Sequence, residues 1–364
     1  MLPPSGQIGP RELSPEAGSG AILANRVIMP GFFTTAVLRC KRSFASGWRA
    51  AAFLLTIPWL FQAVAGDAAA RTLLVGPNRI LTGPAKAASV ALDGDHVVFD
   101  PGVYNECAVW TASRLTLDAR RLGTIITGPP CADRALFLFT GNDIVVRGLT
   151  FQRAHDKWHT GAGILMEGLN LLVEDGAFLD NENGILAGAP LAGPQANQPE
   201  SLVRVRRSLF RGNGSCEGAC AHGIYVGFGV TRLEVINSAF TETRMGHHIK
   251  SRARVTIITG SRIEDGTNGT SSYLINLPNG GRAEILNNIL QKGALSGNRS
   301  AAISAGEENN VFPAAPLEVR GNTFTSELSG QVIFVRNRAP GPAHLQGNTF
   351  KGRVIPLEGA GTVE

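Results

Sequence analysis

Charge is sparse in this chain. Asp, Glu, Lys and Arg make up only 17% of 364 residues. The signs nearly cancel beyond the N-terminal segment: six Lys/Arg stand against two Asp/Glu before Gly66, leaving 28 against 27 after it. A nucleic-acid binder carries a basic face or stripe; none is visible beyond one local cluster, so no nucleic-acid partner is expected. Aromatic residues are few as well, at 7%, with only three tyrosines. No helical period runs through the chain after Arg71, which argues against a helical bundle. Cysteine stops at five, and Cys216-x3-Cys220 has no second pair nearby to complete a zinc site.

What the chain has in quantity is glycine, 44 residues of it, spaced between short β-branched segments. That is the composition of a turn-rich β protein. Residues 1–70 read as an N-terminal extension and signal peptide. Arg39, Lys41, Arg42 and Arg49 precede the apolar run Ala50–Phe61, and Ala63-Val64-Ala65 or Ala68-Ala69-Ala70 supplies a small-residue cleavage site. The run contains Pro58 and is short for a membrane span, so cleavage is favoured over a retained anchor. Lys41-Arg42-Ser43-Phe44 faintly resembles a twin-arginine export signal, and Met29 is an alternative start. The expected location is the periplasm or outside the cell, with no membrane partner after cleavage. Cys107, Cys131, Cys216 and Cys220 then suit two disulfides; three pairings are open, and Cys107–Cys131 with Cys216–Cys220 is the favoured one.

From residue 71 to 364 a single repeating domain is expected. One six-residue pattern recurs eight times, ending at Phe151, Phe178, Phe210, Phe240, Ile263, Leu290, Phe324 and Phe350, at spacings of 23 to 34 residues. Val146-Arg-Gly-Leu-Thr-Phe151 and Val319-Arg-Gly-Asn-Thr-Phe324 are representative copies. Such a period signals a solenoid whose coils stack like residues into columns. A β-propeller is the competing fold, but its blades need about 40 residues or more.

Asp93-Gly-Asp-x-Val-x-Phe-x-Pro-Gly-Val-Tyr104, followed by these rungs, resembles the right-handed parallel β-helix proteins of the pectate-lyase-like superfamily. Gly161–Ile164, Asp180–Leu186, His222–Gly227, His247–Arg252 and Gly269–Gly281 resemble a group of exported bacterial β-helix proteins described by fold rather than activity. The resemblance implies an all-β, single-stranded right-handed parallel β-helix. It leaves the chemistry to be read from the site, because this fold hosts lyases, hydrolases, epimerases and binding proteins.

The most chemically loaded rung is Gly246-His247-His248-Ile249-Lys250-Ser251-Arg252. Aligning the rungs on Ile164, Ile185, Ile224, Ile249, Leu274, Ile303 and Ile333 puts these residues inside and their neighbours outside. One outward column then reads Gly163, Gly184, Gly223, His248, Tyr273, Ala302, Val332, and the other Leu165, Leu186, Tyr225, Lys250, Ile275, Ser304, Phe334, with Gly227, Arg252 and Leu277 one step on. The glycines are expected to flatten a surface trough. His248, Lys250 and Arg252 are expected to project together, edged by Tyr225 and Tyr273. A cationic, aromatic-edged trough suits an extended acidic polysaccharide; the plainer reading is a solvated basic strand. Asn183, His222, His247 and Ser272 are expected to face inward or into turns as hydrogen-bonding side chains.

For a uronate polymer the natural reaction is proton abstraction beside the carboxylate, leading to elimination or epimerisation. Arg252 would neutralise the carboxylate and Lys250 would be the base, its pKa depressed by His248 and Arg252; Tyr225 would be acid or alternative base. Ile249-Lys250-Ser251 faintly resembles the catalytic-lysine strand of chondroitinase-B-like and alginate lyases. Met245, His247 and His248 stand where those enzymes place calcium ligands, so no metal and no cofactor is expected. Ala221-His222-Gly223-Ile224 is similar to the histidine motif of polygalacturonases. Hydrolysis needs two carboxylates across the bond, and Glu182 with Glu167 or Asp180 is the local set; Glu167 and Glu182 are also counted as substrate-binding, with His222, His247 and Tyr273. A non-catalytic polysaccharide-binding or cell-surface structural module is the alternative. The oligomeric state stays open.

Overall fold

Each copy of the six-residue pattern is one corner of a coil. Its third residue adopts a left-handed backbone: Gly148, Asp175, Arg207, Asn237, Gly260, Asn287, Gly321 and Gly347 all have φ between 48° and 69°. Glycine, asparagine and aspartate tolerate this region best, which explains their recurrence there. The next residue builds a ladder between coils. Ser208 N–H donates to Ser238 Oγ at 3.2 Å, Ser238 N–H to Ser261 Oγ at 3.1 Å, and Ser261 N–H to Asn288 Oδ1 at 2.9 Å. Asn322 and Asn348 continue it. Backbone donors that a corner would leave unpaired are thereby satisfied.

These corners join the strands of a computed structural model that describes residues 70–188, 193–195 and 197–364. The signal segment lies outside the described residues, as do residues 189–192 and 196. The described chain forms three parallel sheets of 12, 10 and 10 strands, with one five-residue helix, Pro84–Ala88. A representative coil contributes Arg232–Ile236 to the first sheet, Ala239–Thr241 to the second and Ile249–Ser251 to the third. The chain is therefore a parallel β-helix, as its repeat implied. No helix among the described residues is long and apolar enough to cross a membrane.

All eight pattern-ending residues pair in register through the second sheet, from Phe151 to Phe350. The rings of Phe178 and Phe210 stack at 4.6 Å and those of Phe210 and Phe240 at 4.5 Å. Burying each ring removes a large apolar area from water, and the offset stack adds to it. Cys107–Cys131 and Cys216–Cys220 are both disulfide-bonded.

Candidate functional site

The third sheet carries the charged rung, and its register revises two of the expected columns. Ile249 pairs with Ile275, not Leu274, and Ile303 pairs with Val335, not Ile333. The outward column is Leu165, Leu186, Tyr225, Lys250, Asn276, Ser304, Arg336. Phe334, expected outside, is buried and stacks on Phe324 at 5.0 Å. By the same register Arg252 adjoins Pro278 rather than Leu277.

The second correction concerns His248. Strand alternation begins only at Ile224, Ile249 and Ile275, where the strands begin. The residue before each sits in a bend and also points inward. A Cβ on Gly163, Gly184 or Gly223 would meet the rings or Cβ of the phenylalanine column at 2.8–3.4 Å. Those glycines make room for the core rather than flattening a trough. His248 occupies the same corner, fully buried, with its ring edge-on to Phe240 at 6.5 Å. It therefore leaves the proposed catalytic set. Its Nδ1 meets Thr243 Oγ1 at 2.7 Å and its Nε2 meets Asp265 Oδ1 at 3.0 Å.

Asp265 is the hub of a buried polar cluster. It accepts from Ser271, Ser296 and the Gly293 N–H, and Lys292 Nζ lies 3.6 Å away. Burial pushes Asp265 up, but the bond from His248 and the charge of Lys292 outweigh it and hold the carboxyl at about 2. Burial also lowers Lys292 to about 8, against the pull of Asp265. Neither residue stands out in the sequence, and the cluster lies within the wall.

Lys250 and Arg252 remain outward and converge on one carboxylate. Glu308, on the turn after strand Ala301–Ala305, takes Lys250 Nζ at 3.0 Å on Oε1 and Arg252 Nη2 at 2.5 Å on Oε2. Arg252 Nε donates to Tyr225 Oη at 3.0 Å and Nη1 to Asn279 Oδ1 at 2.5 Å. Both cations also lie over the Tyr225 ring, at 5.7 and 5.9 Å from its centre, and Arg252 lies over Phe228 at 5.6 Å. Burial raises the Glu308 carboxyl, but the bonds from Arg252 and Lys250 outweigh it and hold it below the ordinary range. The Glu308 turn is tied down by its N–H to Pro278 O at 2.7 Å and by Asn279 Nδ2. Sequence reasoning missed Glu308; the signal was the acidic pair Glu307-Glu308 beside glycine and asparagine.

Beside this clamp runs a ladder of side chains. His222 N–H donates to Asn183 Oδ1 at 2.9 Å, His247 N–H to His222 Nδ1 at 2.9 Å, and Tyr273 N–H to His247 Nδ1 at 3.0 Å. The two imidazoles stack at 4.8 Å, and Tyr273 tilts on His247 at 5.3 Å. Because both Nδ1 atoms accept, both rings are neutral with their proton on Nε2. Burial lowers His247 to about 3, helped by Lys250 and Lys292; burial likewise drives His222 well down, helped by His247. Tyr273, rather than Ser272, completes this ladder, and its hydroxyl donates to Glu307 at 2.8 Å.

Of the three candidate carboxylates, Asp180 is exposed on a left-handed corner, and Glu167 and Glu182 do not meet at the clamp or at each other. Glu167 pairs with Arg134 at 2.6 Å, three coils before Arg252. Glu182 is buried against the loop that carries His155 and His159. No facing pair across a common cleft is formed from these two.

No protein-family model matches the chain, and no curated protein matches it. Among solved structures, an alginate lyase from Paenibacillus sp. str. FPU-7 is similar with TM-score 0.51 and 18% identity, over 80% of this chain and 99% of that one. A protein of Geobacillus virus E2, ORF18, gives TM-score 0.50 at 14% identity; 75% of this chain aligns with 55% of that one, so the chain spans about half the viral protein. Pectin methylesterase PemA from Erwinia chrysanthemi aligns at TM-score 0.40 and 9% identity, and carries no argument. At such identities the likeness establishes the fold alone: the chain is a right-handed parallel β-helix protein.

Proposed function

We propose that this protein acts on or binds an acidic polysaccharide, with a uronate carboxylate taking the place of Glu308 between Lys250 and Arg252. The observation that carries the reading is that clamp: two cations, Lys250 on strand Ile249–Ser251 and Arg252 just after it, each hold one oxygen of a single carboxylate, over an aromatic face. A charge-assisted pair of this kind is selective for carboxylate geometry. That a solved alginate lyase shares the fold makes a polyuronate the first substrate to try.

In the catalytic form of this reading, Arg252 neutralises the bound carboxylate and so acidifies the carbon-bound proton beside it. Once Glu308 has been displaced, Lys250 loses a proton to solvent and, as the free amine, takes the carbon-bound proton. The electron pair then forms the new C=C bond as the glycosidic oxygen leaves, taking a proton from Tyr225; returning the proton to the opposite face instead gives epimerisation. Binding without turnover is the second reading, favoured by the inward turn of His248, which removes one titratable group from the face. Export to an oxidising compartment belongs to the same proposal, since two disulfides persist best there.

The test follows ultraviolet absorbance of unsaturated product on alginate, pectate and glycosaminoglycans, beside Lys250→Ala. Absorbance from the wild type alone supports a lyase centred on Lys250. Equal absorbance from the variant removes Lys250 from the chemistry. Silence with retention on a polymer, and no solvent deuterium exchanged into it, supports the binding module.

A further inference from the structure

A second pairing of a cation with a tyrosine lies further along the outward column that carries Lys250. Lys250, Asn276, Ser304 and Arg336 follow one another in register through the third sheet. Three strand spacings separate Lys250 from Arg336, about 14 Å. The Arg336 side chain is only 13% exposed. Its Nε donates to Glu358 Oε1 at 2.7 Å and its Nη1 to Ser300 Oγ at 3.0 Å. Its Nη2 carries donors of its own but completes no hydrogen bond among the described residues.

Tyr273 stands beside this guanidinium much as Tyr225 stands beside Arg252. Burial and the bond to Glu307 push the Tyr273 phenol up, so it stays a proton donor at neutral pH. Ser304, on the column between the two cations, is fully buried, and its Oγ has no hydrogen-bond partner among the described residues. Buried hydroxyls are seldom left unpaired, so a ligand group at this place would complete what the protein leaves open. Glu307 and Glu308 are neighbours on one turn: Glu308 fills the Lys250–Arg252 clamp while Glu307 takes the Tyr273 hydroxyl. On the Ser300 side of Arg336 a groove of about 940 Å³ opens, lined by Ser272, Asn298, Ser300 and Gln331. Hydroxyl and amide groups of this kind both donate to and accept from sugar hydroxyls, which leaves carboxylates to the cations.

We propose that Arg336, with Tyr273 and Ser304, forms a second carboxylate subsite, so that one uronate chain is held at Lys250–Arg252 and again about 14 Å along the stack. The inference rests on the polysaccharide reading above and adds a length requirement to it. The ligand is a run of uronates long enough to reach both places; a single uronate fills one of them only. Displacement of the Glu307–Glu308 turn opens both at once.

The test titrates the full chain by calorimetry with size-defined oligogalacturonates and oligoguluronates, from the monosaccharide to the octasaccharide, beside Arg336→Gln and Glu358→Gln. In the wild type, affinity is expected to step up by about tenfold or more once the oligomer spans both subsites. Arg336→Gln is expected to abolish the step and leave the affinity for shorter oligomers unchanged. Glu358→Gln removes the ion-pair partner but keeps the guanidinium, so it is expected to retain the step; melting curves check that both variants fold. Loss of the step in both variants would make the Arg336–Glu358 pair structural and overturn the subsite. So would a step that survives in Arg336→Gln, or wild-type binding that shows no step. If no oligomer of any length binds the wild type, the polysaccharide reading falls and the subsite with it; binding without a step overturns the subsite alone.

Discussion

At the scale of single residues, Glu308 decides whether the cationic clamp is available. Its carboxylate fills the position assigned to a uronate, so ligand and side chain compete for Lys250 and Arg252. Glu308→Gln keeps the shape and removes the charge, and retention on a polyuronate is expected to tighten about tenfold. Affinity electrophoresis in polymer-containing gels reads the change; weaker retention than wild type would make Glu308 part of the binding apparatus instead. Tyr225, Lys250 and Arg252 were legible in the sequence because strand alternation is local. Glu308 was not, since it returns to Lys250 across 58 residues of chain. His248 was misread for a different reason: alternation was extended one residue past the start of the strand, into a bend that turns both His248 and Ile249 inward.

At the scale of elements, the columns carry the stability. Phe210 is sandwiched between Phe178 and Phe240, and Phe210→Ala is expected to cost about 3–5 kcal/mol in chemical denaturation, with no change in the pairing of neighbouring coils. A cost near that of a surface substitution would show that the coils do not depend on the stack. The imidazole ladder makes a prediction about pH. Both histidines are held neutral when folded, with His247 down at about 3 against an ordinary 6.5. The unfolded chain therefore takes up protons that the folded chain refuses. The stability contributed by the ladder is full above pH 6.5 and is lost progressively as pH falls through about 3. Asn183 does the same hydrogen-bonding work one coil earlier. His222→Asn/His247→Asn should therefore fold at neutral pH and lose less stability than wild type between pH 7 and about 4. Identical pH slopes by denaturant titration would contradict the assignment. The repeating elements were readable in advance because the left-handed corner and the phenylalanine that follows it lie within six residues. The third sheet slipped by one because Leu274 and Ile275 are both apolar and both buried, so composition offers two alignments and only the hydrogen bonds choose.

At the scale of the whole molecule, the residues beyond Gly66 are close to charge balance, 28 Lys/Arg against 27 Asp/Glu, which leaves little long-range attraction for a polyanion, so recognition rests on a local clamp rather than on net charge. Binding to an acidic polysaccharide should then survive moderate salt better than a net-charge effect would, because the cations are mostly covered: Lys250 and Arg252 side chains are 14% and 15% exposed. The most direct test is retention of wild type, Lys250→Ala and Arg252→Ala in gels containing alginate or pectate, against a neutral glucan. Retention by the acidic polymer alone, weakened by about tenfold or more in each variant, is the predicted result. Equal retention of all three proteins, or equal retention on the neutral glucan, would contradict the carboxylate clamp.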